Sequence, residues 1–201
     1  MKSGFVAIVG RPNTGKSTLI NALVGQKVAI TSHHPNTTRH AIRGIVNGPE
    51  FQAALVDTPG LHKPRTLLGR RLNEVVTDSL ESVDIVIMTF PANEKTGAGD
   101  EHILNIVKNS RAKKIAVVTK IDTVAKETLP VRLMEVGGLT DWTEIIPVSA
   151  VKALQVDVLS NLLSKHLPEG PQLYPEDQKS DQTLEKLICE HIREEIGRAH
   201  V

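Results

Sequence analysis

The stretch "GRPNTGKST" at residues 10–18 constrains this chain more than any other. It follows the apolar run "FVAIV" (5–9) and opens a helical pattern over 16–25, so its glycines stand where a strand turns into a helix. Gly10 and Gly15 allow the backbone to fold tightly, with successive N–H groups pointing inward at an anion. The helix behind them adds its positive N-terminal end. Lys16 is placed to reach β- and γ-phosphate oxygens, and the Ser17 hydroxyl to coordinate Mg²⁺. The whole loop, Gly10, Arg11, Pro12, Asn13, Thr14, Gly15, Lys16, Ser17 and Thr18, is expected to touch nucleotide.

The rest of the chain repeats the strand-then-helix rhythm. Apolar runs at 5–9, 41–46, 51–56, 84–90, 114–119 and 144–148 predict strands, and amphipathic stretches at 16–25, 69–80, 100–110, 126–136 and 152–166 predict helices. Only "NGPE" (47–50) separates the second strand from the third, which is too short for a crossover helix. Those two strands are therefore expected to pair as an antiparallel hairpin. The expected fold is α/β, a P-loop NTPase G domain of the Ras-like kind. Its sheet has six strands, mainly parallel with one antiparallel, flanked by helices.

A phosphate loop alone does not separate GTPases from ATPases or kinases. "ALVDTPG" (54–60) narrows the choice, because it ends a strand about 40 residues further on. There Asp57 is expected to hold the Mg²⁺ shell, with Thr58, Pro59, Gly60 and Leu61 lining the nucleotide and the Gly60 N–H sensing the γ-phosphate. The polar segment "ITSHHPNTTRHAI" (30–42) sits where a first switch belongs. A threonine there would coordinate Mg²⁺ and meet the γ-phosphate, then let go on hydrolysis. Thr38 is the expected ligand, with Thr37 as the alternative that spacing leaves open. His33, His34 and His40 have no Cys or carboxylate at ligand spacing and are read as solvated loop residues.

Base recognition is expected at "VVTKID" (117–122). Asp122 can accept two hydrogen bonds from guanine that adenine cannot offer, a discrimination of ~10⁴-fold. The stem of Lys120 can lie across the base. The usual pattern here is Asn-Lys-x-Asp, and Thr119 stands in place of the Asn. A hydroxyl offers one donor and a shorter reach, so the expected loss is ~1 kcal/mol or less, with selectivity kept. "VSAVK" (148–152) follows a later strand and puts Ser149 and Ala150 where a backbone N–H can meet the guanine carbonyl. An ATP-using kinase or motor is disfavoured by Asp122.

Composition sets the outer limits. The formal charge of +1, from 24 Lys+Arg and 23 Asp+Glu, creates no global field for nucleic acid or an acidic membrane. An aromatic content of 2% argues against a base-stacking platform. The single Cys189 fits a reducing compartment and reads as a small apolar residue on a helix face. No signal-peptide pattern precedes the phosphate loop, and the apolar runs are strand-sized, so the expectation is cytoplasmic. "HLPEGPQLYPEDQ" (166–178) interrupts periodicity. The expected organisation is a G domain over 1–168, a linker over 169–180, and an isolated amphipathic helix over 181–201 carrying Leu184, Leu187, Ile188, Ile192 and Ile196 on its apolar face. That helix reads as the start of a further domain, cut short.

Together these stretches resemble the bacterial Era family of GTPases. The resemblance rests on "VGRPNTGKSTLINALVGQKVAITS", "NTTRH", "VDTPGLHKPRTLLGRRLN" and "GAGDEHIL", and covers about residues 4–170. It implies a GTP-hydrolysing switch in small-subunit ribosome assembly and 16S rRNA maturation, with GTP/GDP, small-subunit rRNA and the 30S subunit as partners. It also implies a following KH domain and peripheral association with the inner face of the cell membrane. The Gly-x-x-Gly loop by which a KH domain clamps RNA is absent after the linker. Ras-like proteins orient the attacking water with a glutamine where Leu61 stands, so intrinsic hydrolysis is expected to be slow. Similar G proteins with an Asn in the phosphate loop use K⁺ in place of an arginine finger, which makes Asn13 the expected K⁺ residue. The catalytic set is then Asn13, Lys16, Thr38 and Gly60; the metal set is Ser17, Thr38 and Asp57. Lys63, Arg65, Arg70 and Arg71 read as a solvated face. The competing function is a GTP-binding interaction module with negligible hydrolysis.

Overall fold

The computed structural model describes residues 1–29, 42–57, 80 and 82–180. Six strands form one sheet: β1 (Lys2–Val9), β2 (Ile42–Asn47), β3 (Phe51–Asp57), β4 (Ile85–Pro91), β5 (Lys113–Thr119) and β6 (Glu144–Pro147). Their order is β2-β3-β1-β4-β5-β6. Every neighbouring pair is parallel except β2 and β3, which meet antiparallel as the short "NGPE" link requires. The helices are α1 (Lys16–Val24), α2 (Ala98–Asn109), α3 (Leu129–Gly137) and α4 (Val156–His166).

A parallel sheet covered on both faces needs apolar residues at successive positions, and the strands supply them. On one face Val6, Ile8, Leu55, Ile87 and Val117 pack against Leu19, Ile20 and Leu23 of α1 and Leu159 and Leu163 of α4. On the other face Ala7, Val9, Val86, Met88 and Val118 pack against Ile103, Leu104 and Val107 of α2 and Val136 of α3. Phe90 closes the second layer edge-on against Trp142, with ring centroids 5.8 Å apart. Each fully buried large side chain contributes about 1.5–3 kcal/mol, so the two layers together dominate the stability of the fold.

Three helix starts differ from the sequence expectation. α2 begins at Ala98 rather than 100, because extended Gly97 caps it: the Gly97 N–H donates to Asp100 Oδ2 at 2.9 Å. The stretch expected as one helix over 126–136 opens as a 3₁₀ turn, Lys126–Thr128, before α3 takes over with Pro130 in its first turn. There the missing proline N–H costs nothing. α4 begins at Val156 rather than 152. Ser149 and Leu154 exchange both backbone hydrogen bonds (3.1 and 2.9 Å), and Ala153 and Gln155 take left-handed φ of 52° and 58°. Four residues that helical periodicity would claim are thereby held as a closed loop. The helix expected over 69–80 lies outside the described residues except for Leu80, which is buried in the second layer.

Residues 168–180 run across the base of the sheet and up its β2 edge. Ser3 N–H donates to the Pro168 carbonyl at 3.0 Å and Ser3 Oγ to the Pro171 carbonyl at 2.6 Å. The fully buried Gln52 side chain accepts from the N–H groups of Leu173 and Tyr174, both at 2.8 Å, and donates to the Tyr174 carbonyl at 2.9 Å. Asn47 donates to the carbonyls of Glu176 and Gln178. The Ile45 N–H donates to the Lys179 carbonyl at 2.9 Å, and Ser180 bridges to Gly44. The segment anticipated as a linker is thus a strap fastened by side-chain amides.

Candidate functional site

The carboxyl ends of β1, β3, β5 and β6 meet at one rim of the sheet, where open α/β folds bind ligands. The phosphate loop leaves β1 at Val9 and enters α1 at Lys16. Gly10 has φ 157°, and a Cβ there would sit 2.2 Å from Thr89 Oγ1. Any side chain there would displace the Thr89 and Thr14 hydroxyls and crowd the Thr89 carbonyl, 3.2 Å from the same Cβ. Gly15 takes φ 92° and Asn13 φ 63°, so two left-handed residues curl the loop inward. Buried Thr14 locks the curl: its hydroxyl donates to the Arg11 carbonyl at 2.9 Å and meets Thr89 Oγ1 at 2.7 Å. Thr89 in turn lies 3.2 Å from the Val9 carbonyl.

Lys16 is nearly buried, and its ammonium donates to the carbonyls of Gly10 (3.1 Å) and Arg11 (2.7 Å). It therefore spans the mouth of the loop. Ser17 is the second residue of α1, and Thr18 follows it. Asp57 ends β3 opposite Ile8 of β1, one strand from the loop. Of Asp57 only the backbone is described. Thr37, Thr38, Thr58, Pro59, Gly60 and Leu61 lie outside the described residues, as do His33, His34, His40 and the basic residues Lys63, Arg65, Arg70 and Arg71.

The base loop is joined to the phosphate loop by the residue that breaks the usual pattern. Thr119 is buried at 4% exposure and its hydroxyl donates to the Thr14 carbonyl at 2.7 Å; the Phe90 carbonyl is further off, at 3.4 Å. The shorter side chain reaches because Gly15 comes close: a Cβ on Gly15 would lie 3.7 Å from the Thr119 side chain. Lys120 adopts φ 57°, and its carbonyl caps a 3₁₀ turn over Ile121–Thr123. That turn presents Asp122, whose Oδ1 accepts from Ser149 Oγ at 2.5 Å. The Ser149 hydroxyl also accepts from the Lys152 N–H at 3.2 Å, so the third loop is closed around it.

Ser149 and Ala150 divide the work expected of them. The Ser149 N–H is committed to the Leu154 carbonyl, and its hydroxyl orients Asp122. Among the described residues the Ala150 N–H has no such partner.

Sequence reasoning missed the groups behind the loop. The Arg11 guanidinium donates to Asp100 Oδ1 at 2.8 Å and to Glu94 Oε2 at 3.0 Å. Burial pulls that guanidinium down, but hydrogen bonds and charge from Asp100 and then Glu94 outweigh it and hold it above its ordinary value. The acid three residues into "GAGD" was a visible capping signal; its second partner 89 residues away was not.

The family model described as "50S ribosome-binding GTPase" matches residues 5–120. GTPase Era of Corynebacterium diphtheriae is 52% identical over 196 residues, covering 96% of this chain and 64% of that relative. Among solved structures, an Era variant from Aquifex aeolicus bound to GDP·AlF₄⁻ superposes with a TM-score of 0.90 at 39% identity. Era in complex with MgGDPNP and nucleotides 1506–1542 of 16S ribosomal RNA superposes with a TM-score of 0.89, also at 39%. Each covers 96% of this chain, which spans 66% of each of those solved chains. The chain belongs to the Era GTPases, within the ribosome-binding GTPase family.

Proposed function

We propose that this chain binds guanine nucleotide with Mg²⁺, hydrolyses GTP slowly, and acts as a switch in small ribosomal subunit assembly and 16S rRNA maturation. The observation that carries the reading is the tie between its two recognition loops. Thr119 fastens the base loop to the phosphate loop, while Ser149 aims Asp122. Asp122 then reads the guanine N1–H and amine, the Ala150 N–H the guanine carbonyl, and the stem of Lys120 covers the base. Residues 1–168 form the nucleotide-binding domain in this reading.

At the phosphates, Lys16 exchanges two carbonyl acceptors for charged oxygens, and the positive N-terminal end of α1, which begins at Lys16, faces the same anion in this reading. The oxygen donors Ser17 and Asp57, one strand apart across the Ile8–Asp57 pair, suit a hard cation, with Thr38 as the third ligand. When bound, Mg²⁺ neutralises charge on the β- and γ-phosphate oxygens. The Gly60 N–H senses the γ-phosphate, and Leu61 leaves the water without a polar orienting group, which keeps the intrinsic rate low. Asn13 supports a K⁺ ion that takes the place of an arginine finger.

The relatives supply the wider setting. One Era structure holds MgGDPNP together with 16S rRNA nucleotides, and rRNA and the 30S subunit are the partners proposed here for the whole protein. Among the described residues no helix is long and apolar enough to cross a membrane. The proposed location is the cytoplasm, with peripheral contact at the inner membrane face as a finer expectation that vesicle sedimentation tests.

A competition titration tests the centre of the proposal. GTP and GDP should displace a labelled GDP, and ATP should not; equal displacement by ATP overturns the guanine reading. Single-turnover hydrolysis in K⁺ should outpace that in Na⁺, and equal rates overturn the role given to Asn13. Binding with no turnover in either cation would favour the interaction-module reading.

A further inference from the structure

The peptide after Arg11 is pinned from both ends. Its carbonyl accepts from Thr14 Oγ1 at 2.9 Å and from the Lys16 ammonium at 2.7 Å. Its side chain is drawn the other way, into Asp100 and Glu94. Asp100 is not a passing surface acid. It is 1% exposed, belongs to the first turn of α2, and has both carboxylate oxygens occupied: Oδ1 by Arg11 Nε, Oδ2 by the Gly97 N–H. Gly99, between them in sequence, makes room for the arm. A Cβ there would stand 2.7 Å from Arg11 Cδ.

We propose that Asp100 is a positioning residue for the phosphate loop, acting through Arg11, so that α2 sets the aim of the loop's N–H groups. This rests on the guanine-nucleotide reading and adds a residue to its machinery. The lock matters most when nucleotide is bound. Phosphate oxygens draw Lys16 off the Arg11 carbonyl, and the guanidinium anchor then keeps that peptide from rotating. A buried carboxylate with both oxygens satisfied, paired to a half-buried guanidinium, is suited to the task, because the Asp100 charge is costly to leave unpaired and holds one geometry. Glu94, at the exposed end of the guanidinium, is the weaker anchor. Only a group that acts on Arg11 can have this effect, so Asp100 should be silent once Arg11 is gone.

The test is a double-variant cycle on the rate of labelled GDP release, with thermal melts alongside. Arg11→Gln and Asp100→Asn should each speed release roughly tenfold, the scale of one charged hydrogen bond. The double variant should be no faster than either single one. Gly99→Ala keeps both charges and crowds the arm. It should speed release while the melting midpoint holds or rises, since Ala is favoured over Gly inside a helix. A purely structural role would not split those two readouts. Wild-type release from Arg11→Gln, or effects that simply add, overturn the proposal. If the wild type fails to hold GDP at all, the guanine reading falls instead. The lock is then judged by amide exchange over residues 10–16, which must quicken in both single variants for it to stand.

Discussion

Thr119→Val is the sharpest single probe of this site, because it removes one hydroxyl and almost no volume. The hydroxyl is buried and donates at 2.7 Å to the Thr14 carbonyl in the middle of the phosphate loop. Valine leaves that carbonyl without its donor where water has little access. A buried polar group left unpaired costs ~1–3 kcal/mol, and no cavity term adds to it. With a urea m-value of about 2 kcal/mol/M, the unfolding midpoint should fall by roughly 0.5–1.5 M. The same change frees the phosphate loop, so affinity for GDP and for GTP should drop together by ~10-fold. The ratio of GTP to ATP affinity should not move, because Asp122 and Ser149 are untouched. Urea unfolding and labelled-GDP titration on one preparation read all three quantities. A lower midpoint with unchanged affinity would make the tie purely structural. Loss of the GTP/ATP ratio would show that base choice rests on position 119, refuting the assignment to Asp122. Thr119→Asn tests the converse: it restores the usual residue, and a large loss of affinity would mean that the approach of Gly15 has tuned this loop to a short side chain.

Ser149→Ala removes the 2.5 Å bond that orients Asp122, and guanine affinity should fall roughly tenfold while phosphate contacts persist, read as a parallel loss for GDP and GTP in calorimetry. Gln52→Leu deprives the strap of its three bonds to one side chain; stability should drop by ~2–4 kcal/mol, and limited proteolysis should cut within 169–180 first. Hydrogen bonds from Lys165 and then His166 hold the Glu144 carboxyl below its ordinary range. The unfolded chain therefore binds that proton more readily, so the contribution is present above the unfolded glutamate value and is lost as pH falls through the folded one. Melting curves of wild type and Glu144→Gln should differ slightly near pH 7 and draw together as pH falls below the unfolded glutamate value of about 4.3. A gap that stays constant into acid would refute the linkage.

What the sequence disclosed was local. Strand periodicity, the phosphate loop and the "NGPE" hairpin each lie within a few residues, where steric rules suffice. The order of motifs then put Asp122 and Ser149 on one rim. Hidden were pairings made only by the fold, such as Thr119 with Thr14, 105 positions apart, and Arg11 with Asp100. Composition also underrated the 3₁₀ turn at 126 and the closed loop before α4, since left-handed Ala153 and Gln155 carry no glycine to announce them. The strap was invisible for a related reason. Prolines mark irregular backbone but do not say which side chains will satisfy it.

That strap also sets a schedule for folding. Its bonds join Ser3 to Pro171 and Asn47 to Glu176, across 168 and 129 positions. During synthesis from the N-terminus, the sheet can assemble as β5 and β6 emerge, yet among the described residues the β2 edge finds its backbone partners only once Lys179 and Ser180 are made. An open edge is a template for wrong partners. Slow translation through 150–180 would lengthen that exposure, and a chain released before the strap has emerged would carry a nearly finished nucleotide site beside an adhesive edge.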